Sequence, residues 1–217
     1  MYKIDLHTHS VASHDGGINA AQYARVIAEN MLDIIAVTDH NRIDFATQLA
    51  ADLGDRIIVG EEIMTTSGEI IGLYLTEPIR SGLTPLETVK RIKDQHGLVY
   101  IPHPFESVRK GLHPSAIEEL IDYIDIVEVV NGRAFLQNRS AQAAIWARLN
   151  HIVGAASSDA HGIKGLCRTY TQVHKLPDLS SLVEEISLGS PMTSRPSPRA
   201  LFYPKYNKFK KKIRKSS

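Results

Sequence analysis

The sequence has 217 residues, of which 43% are hydrophobic and 23% are charged, with a formal net charge of +1. These values are typical of a soluble globular protein, and the length favours one sizeable core over two full domains. No run of eighteen apolar residues occurs, which excludes a predicted membrane span, and the first predicted strand leaves no room for a signal peptide. The single cysteine, Cys167, excludes an internal disulfide framework. We therefore expect a cytoplasmic protein with no membrane partner.

Short β-branched segments alternate along the chain with helical stretches of about 10 to 15 residues. The predicted strands are Tyr2–Leu6, Leu32–Thr38, Arg56–Thr65, Ile70–Leu75, Leu98–Ile101, Ile124–Val130, Ile152–Ala156 and Thr169–His174. The predicted helices are Asn19–Asn30, Asp44–Leu53, Pro85–His96, Pro114–Tyr123, Leu136–Leu149 and Leu179–Leu188. This alternation predicts an α/β fold with a parallel sheet, closed as a barrel or open and doubly wound. The fourth strand is expected to return from the third as a hairpin.

The C-terminal part of the chain differs in charge from the rest. After Glu185 there is no acidic residue, whereas nine lysines and arginines follow. We expect residues 1–195 to form the single domain and residues 196–217 to form a flexible basic tail. Such a tail is a candidate for contact with nucleic acid or another anionic partner, and equally for a solvated chain end.

The segment Asp5-Leu6-His7-Thr8-His9 carries the strongest chemical signal in the sequence. Residues i and i+2 of a strand point to the same side, so His7 and His9 are predicted to lie side by side. Two imidazoles at a strand end form half of a typical transition-metal site. Asp5, expected on the same face, is a candidate to orient one imidazole from behind.

Most of the other predicted strands also end in a histidine or a carboxylate. The polar residues at or just after these ends are Asp15, Asp39, His40, Glu61, Glu62, His103, Asn131, Asp159 and His161. In α/β folds, ligands bind at the carboxyl ends of the strands, so these side chains are expected to converge.

The composition of this cluster indicates its chemistry. Imidazoles and carboxylates without thiolates suit Zn, Mn or Fe. Seven or eight candidate ligands exceed what one ion needs, which predicts two or three divalent ions that share bridging groups. Sites of this kind activate a bound water and support displacement at phosphorus, so hydrolysis is the favoured reaction class.

These residues resemble the PHP family, named for polymerase and histidinol phosphatase, whose members are metal-dependent phosphoesterases on a distorted (β/α)7 TIM-like barrel. The resemblance covers about residues 1–165 and includes the family's main motifs in order. They are His7-Thr8-His9, Asp15-Gly16, Thr38-Asp39-His40, Gly60-Glu61-Glu62, His103-Pro104, Asn131 and Ser158-Asp159-Ala160-His161.

The resemblance implies three metal sites. The first would be held by His7, His9, Glu62 and Asp159; the second by Glu62 and His103; and the third by Asp15, His40 and His161. One position departs from the family pattern, because Glu69 stands where many small members have a histidine. Glu69 either replaces that imidazole as a ligand or leaves the second site weak, and a carboxylate there makes a harder ion such as Mn more plausible.

The expected mechanism is attack of a metal-bridging hydroxide on a phosphoryl group. Arg133, Lys164 and Arg168 follow predicted strand ends and are candidates to bind phosphate. His161 or Asp15 is the candidate to protonate the leaving alkoxide.

Four functions remain open at this point. A phosphoesterase acting on a small phosphorylated substrate is favoured. A nuclease that trims short nucleic acids with the same metals and uses the basic tail is the second hypothesis. A non-catalytic metal-binding module is the third, and hydrolysis of a non-phosphate substrate, as in metal-dependent amidohydrolases, is the fourth.

Overall fold

The computed structural model of the chain describes residues 1–134, 137–194 and 198–216. The strands are β1 (Tyr2–Thr8), β2 (Ile34–His40), β3 (Ile57–Thr65), β4 (Gly68–Leu73), β5 (Leu98–Ile101), β6 (Ile126–Asn131), β7 (Val153–Ser157), β8 (Thr169–Val173) and β9 (Ser190–Thr193). The helices are α1 (Ala20–Ala28), α2 (Asp44–Leu53), α3 (Pro85–Asp94), α4 (Pro114–Glu118), α5 (Ser140–Leu149), α6 (Leu182–Ser187) and α7 (Pro198–Ser216). Short 3₁₀ turns lie at Gly54–Arg56 and Ile121–Tyr123.

The nine strands form one sheet in the order β7-β6-β5-β4-β3-β2-β1-β8-β9. Thr8 of β1 pairs in parallel with Ala160, just after β7, and the Thr171 hydroxyl of β8 bonds to the backbone N–H and carbonyl of Ala156 in β7. These contacts bring the β7 end of the sheet against β1 and β8, so the barrel is nearly closed. The predicted distorted TIM-like barrel in a single α/β domain is thereby confirmed.

The sheet is mixed rather than wholly parallel. The β1–β2–β3 and β5–β6–β7 pairs are parallel, whereas β4 is antiparallel to both of its neighbours and β8 is antiparallel to β1 and β9. The cause at β4 is the tight turn at Thr66 and Ser67, which is too short for the crossover that a parallel neighbour requires. The hairpin expected at this position is therefore present.

Apolar side chains fill the barrel and cover its outside. Inside, Ile4, Ile34, Ile71 and Tyr100 belong to one buried cluster. Two further clusters pack the outer faces of the strands against the helices, as Val37 does with residues of α1 and α2. Because the apolar residues occupy the barrel and its flanks, the carboxyl ends of the parallel strands are left to present polar side chains.

Local sequence signals predict some helices better than others. Helix α3 begins as expected, with the Thr84 hydroxyl accepting the Glu87 N–H and Pro85 in the first turn. The helix predicted over 114–123 is broken into α4 and the 3₁₀ turn at Ile121–Tyr123. The helix predicted from Leu136 begins at Ser140, and residue 136 itself lies outside the described residues.

The C-terminus differs from the expected flexible tail, because most of it forms helix α7. The helix docks through Asn207, which is 7% exposed and whose Nδ2 donates to the carbonyls of Asp15 at 2.8 Å and His161 at 2.9 Å. These partners are distant in sequence, so composition alone could not indicate them. The expected boundary at residue 195 lies outside the described residues. None of the helices in the described ranges is long and apolar enough to cross a membrane.

Candidate metal centre

Nine ionisable side chains converge at the carboxyl ends of the strands. Among the described residues they form four overlapping groups in which the potential ligand atoms lie within 4.8 Å of one another. The groups are His7, His9 and Asp159; His7, Glu62 and His103; His40, Glu62 and Glu69; and His9, Asp15, His40 and His161. Every residue predicted as a ligand therefore lies in the cluster, and Glu69 is among them.

The spacing of the ligand atoms fits metal coordination. The Nε2 atoms of His7 and His9 are 3.1 Å apart, and Asp159 Oδ1 lies 3.7 and 3.6 Å from them. Ligands about 2.0–2.2 Å from a tetrahedral ion stand roughly 3.3–3.6 Å from each other, which is longer than most hydrogen bonds. The observed separations of 3.1–3.7 Å centre on this range.

We call His7, His9, Glu62 and Asp159 the inner group. Their side chains are at most 2% exposed. Glu62 on β3 lies between the two histidines, with its oxygens 3.5 Å from His7 Nε2 and 3.3 Å from His9 Nε2. The side chain of Glu62 also reaches His103 Nε2 at 3.1 Å, so it can bridge two ions. This is the bridging position that the motif resemblance implies for Glu62.

Glu128 on β6 supports the inner group from behind, and its role was not predicted. Its Oε1 lies 3.2 Å from His7 Nδ1, while its Oε2 accepts the backbone N–H of His103 at 2.6 Å. A carboxylate at Nδ1 keeps Nε2 free to bind an ion and fixes the orientation of the ring. A charged residue inside the apolar run Ile126–Val130 was the signal that could have revealed Glu128.

Asp5 has a different role from the one expected. The pairing between β1 and β2 changes register between Asp5 and Thr8. Asp5 Oδ1 accepts the backbone N–H groups of His7 at 3.4 Å and Ser158 at 2.9 Å rather than orienting an imidazole. Asp5 therefore ties β1 to the segment that carries Asp159, and Glu128 takes the place beside the His7 ring.

Two arginines hold Asp159. Arg133 Nη1 lies 3.1 Å from Asp159 Oδ1, and Arg109 Nη1 lies 3.1 Å from Oδ2. Arg109 also pairs with Glu106 and donates to the Asn131 side chain. The backbone of Asp159 has a φ of 50°, a left-handed conformation that costs of order 1–3 kcal/mol and is often found at functional sites. Arg109 lies in a loop, and no sequence pattern indicated it.

We call Asp15, His40 and His161 the outer group. Asp15 Oδ1 is 3.5 Å from the Nε2 atoms of both His40 and His161, and it has no hydrogen-bond partner among the described residues although it is buried. A buried carboxylate oxygen that faces two imidazoles without a hydrogen bond fits the chemistry of a cation site. Glu69 approaches this group, with its Oε1 3.6 Å from His40 Nδ1.

Burial and neighbouring charges set the pKa values of the cluster. Burial and the charge of Glu62 raise the pKa of the Glu69 carboxyl to about 9. Burial opposes a charged imidazole at His40, yet Glu62 and Asp15 raise its pKa to about 9. Burial also disfavours the Asp159 carboxylate, but Arg133 and His7 keep its pKa well below the usual range. Protonated His40 thus balances part of the carboxylate charge, and a divalent cation would displace its proton.

A cavity of about 1190 Å³ opens over the cluster. Its lining includes members of both groups, together with Arg133, Arg109 and residues of helix α7 such as Lys208. The phosphate-binding candidates Lys164 and Arg168 are not among the described residues that line it, whereas Arg133 is. The cavity is large enough for a small substrate to reach the ligand atoms.

The sequence is similar to two uncharacterised proteins of Methanocaldococcus jannaschii, and no family model matches it. It is 32% identical to MJ1587 over 149 residues, covering 63% of this chain and 87% of that protein. It is 33% identical to MJ0417 over 178 residues, covering 80% of this chain and 71% of that protein.

The fold is similar to solved structures at lower identity. A two-domain protein from Bacteroides vulgatus, described as "containing predicted PHP-like metal-dependent phosphoesterase", has a TM-score of 0.68 at 20% identity over 95% of this chain and 69% of that one. Endonuclease Q, solved with a 27-mer duplex that has an abasic lesion at the active site, has a TM-score of 0.64 at 15% identity over 88% of this chain and 58% of that one.

The fold is that of these PHP-like structures, which agrees with the resemblance inferred from the sequence. At the level of sequence, the chain belongs to one family with MJ1587 and MJ0417.

Proposed function

We propose that this chain is a metal-dependent phosphoesterase that hydrolyses a phosphate ester, with a small phosphomonoester as the favoured substrate. The observation that carries the proposal is the set of four overlapping ligand groups at the floor of one cavity. Shared ligands hold ions about 3.5–4 Å apart, which is the arrangement that suits displacement at phosphorus.

The residues present fit two or three divalent ions, with Zn, Mn and Fe the candidates. The inner group would hold the first ion, Glu62, His103 and Glu69 the second, and the outer group the third. When bound, such ions supply an activated water and stabilise the charge on the phosphoryl oxygens. Glu69 supports the second position because it shares a ligand group with Glu62 and its Oε2 lies 3.9 Å from His103 Nε2, which argues against a non-catalytic module.

The protein's own side chains then position and protonate the substrate. Arg133 lines the cavity beside Asp159, and its buried Nε has no hydrogen-bond partner among the described residues. This makes Arg133 the arginine available to bind a phosphoryl oxygen, as expected from the sequence. Asp15 and His161 face each other across 3.5 Å at the cavity wall. Burial opposes the charge of Asp15, but His161 and His40 hold its pKa well below the usual range, so Asp15 is ionised. His161 is therefore the candidate of the two to protonate the leaving alkoxide.

Hydrolysis of a panel of phosphomonoesters, cyclic phosphates and short oligonucleotides, assayed with Mn or Zn, tests the proposal. Phosphate release measures hydrolysis of the monoesters, and chromatography of the products measures hydrolysis of the cyclic phosphates and oligonucleotides. His9→Ala removes a ligand shared by two groups, and His174→Ala replaces an exposed histidine outside the cluster as a matched control. We expect one substrate class to be hydrolysed by the wild type and the control but not by His9→Ala. No hydrolysis of any class by a folded, metal-loaded protein would favour the non-catalytic module instead.

A nuclease is the second candidate, and two observations favour it. Endonuclease Q shares the fold, and helix α7 places lysines at the edge of the cavity. This function predicts hydrolysis of the oligonucleotides in the panel, with activity that falls steeply as salt rises, since contacts to the phosphate backbone release counterions. Hydrolysis of small esters alone, with little dependence on salt, would exclude it.

A further inference from the structure

Helix α7 forms one wall of the cavity over the outer group. Besides Asn207, Lys211 anchors it, because its Nζ donates to the carbonyls of Val11 at 2.8 Å and Gly16 at 2.9 Å. The anchored loop, residues 11–16, is the one that carries Asp15. The helix is thus attached directly to the backbone of the candidate metal site.

Two glycines lie where side chains of helix α7 pack closely against the domain. A Cβ on Gly17 would come within 2.8 Å of the Asn207 side chain, and a Cβ on Gly162 would come within 2.7 Å of the Tyr203 ring. Contacts shorter than 3.0 Å would displace the Asn207 and Tyr203 side chains or the helix that carries them. The close approach therefore depends on glycine at both positions, and it explains how α7 packs tightly against residues beside Asp15 and His161.

The two arginines at the cavity are mostly enclosed, with 13% of the Arg109 side chain and 19% of the Arg133 side chain exposed. Arg109 pairs with Glu106 and Asp159, and Arg133 reaches Asp159 and the His161 ring. Lys208 differs from them. Its side chain lines the cavity, is 53% exposed, and has its Nζ 3.6 Å from Asp15 Oδ2, so the ammonium lies above the outer group with room for another anion.

We propose that Lys208 binds the phosphate group, or another anionic group, of the substrate and so acts as a specificity residue on helix α7. The inference rests on the proposed phosphoesterase function and deepens it. An ammonium on a flexible stem suits this task because it offers three donors and a point charge to a phosphate. Lys205 lines the same cavity one turn earlier and adds positive charge. The basic segment thus contributes to binding a small anionic substrate as part of the active site.

Three full-length variants test this proposal, each loaded with Mn. Lys208→Gln removes the charge, Lys208→Arg keeps it, and Lys210→Gln removes an equal charge from an exposed lysine of the same helix that does not line the cavity. Calorimetry measures the binding of inorganic phosphate, which requires no turnover. We expect Lys208→Gln to bind phosphate about tenfold more weakly, the loss expected for one hydrogen bond to a charged group, while the other two variants stay near wild type.

The second measurement is the steady-state kinetics of a phosphomonoester that the wild type hydrolyses. Lys208→Gln is expected to raise KM by about tenfold with a smaller change in kcat, because the contact forms with the substrate as well as the transition state. Unchanged phosphate affinity and KM in Lys208→Gln, with the wild type active, would overturn the proposal for Lys208 while leaving the phosphoesterase intact.

Two other outcomes would lead to different conclusions. A wild type that binds phosphate through Lys208 yet hydrolyses no ester would contradict the proposed function and not the binding role. Weaker binding of a single-stranded oligonucleotide in Lys208→Gln and Lys210→Gln alike, with phosphate binding unchanged, would overturn the proposal in favour of a nucleic-acid surface along the helix.

Discussion

The inner and outer groups of the candidate metal centre are held in place in different ways. The inner group sits on or next to the strands β1, β3 and β7, is at most 2% exposed, and is supported by Glu128 from inside the sheet. The outer group is more open, with His40 at 14% and Asp15 at 8% exposure, and its loop is held by helix α7. The inner group therefore depends on the barrel alone, whereas the outer group, in which His40 ends strand β2, also depends on a segment far away in sequence.

The difference has a consequence for stability and function. Side chains on strands inherit the rigidity of the sheet, whereas a loop held by a docked helix shares the lower stability of local contacts at the chain end. Changes to the inner group are thus expected to remove metal binding and chemistry together. Changes to α7 are expected to loosen the outer group first.

Loss of an inner ligand is expected to have the largest effect. His7→Ala removes an atom shared by two ligand groups and should lower turnover of the hydrolysed substrate by at least about 10³-fold, since the bound ions supply several kcal/mol of transition-state stabilisation. Steady-state kinetics of His7→Ala, with His174→Ala as the control, measure the loss of turnover. Retention of more than a tenth of wild-type turnover would show that the inner group is not the catalytic centre.

Removal of metal should lower thermal stability. An ion present at 100 times its Kd stabilises the folded protein by about 2.7 kcal/mol, which corresponds to a Tm higher by roughly 5–11 °C for a domain of this size. Calorimetric melting with Mn and after chelation measures the shift, and His7→Ala should show a smaller one. Equal Tm values for the wild type in both conditions would argue against bound ions.

Glu128→Gln tests the support behind the inner group. The amide has one acceptor oxygen where the carboxylate has two, so it cannot accept from both the His7 ring and the His103 N–H. Metal affinity should therefore fall by about 10- to 100-fold while the fold persists. Titration of metal by calorimetry provides the measurement, with Glu118→Gln as a control at an exposed carboxylate. An unchanged affinity would mean that the His7 ring keeps its orientation without Glu128.

Asn207→Ala is expected to have the smallest effect on the protein as a whole. Its effect should be confined to the loop of the outer group. The substitution leaves the carbonyls of Asp15 and His161 without this donor, at a cost of about 1–3 kcal/mol. Hydrogen exchange should accelerate in residues 11–16, with little change in β1 and β3. Uniform acceleration across the barrel would contradict the separation of the two groups.

The inner group could be predicted because strand periodicity and motif spacing are local properties. His7 and His9 follow from one short strand, and Glu62 and Asp159 follow from the rule that ligands gather at the carboxyl ends of strands. The irregular pairing after Asp5 could not be read from spacing, which is why Asp5 was given the role that Glu128 performs.

The support of the outer group could not be predicted in the same way. Asn207 contacts Asp15 across 192 positions in the sequence, and Lys211 contacts Gly16 across 195. Contacts at such separations depend on how the whole chain packs. A basic, lysine-rich composition indicated a flexible end, whereas two glycines and one buried asparagine allow the helix to dock.

Metal content tests the central claim most directly. The full-length protein is dialysed to equilibrium against Mn, and the bound metal per chain is measured by mass spectrometry for the wild type, His174→Ala and His7→Ala. We expect two to three ions per chain in the wild type and in His174→Ala, and at least one fewer in His7→Ala. Less than one ion per chain in the wild type, with no difference between the variants, would contradict a metal centre at the carboxyl end of this barrel.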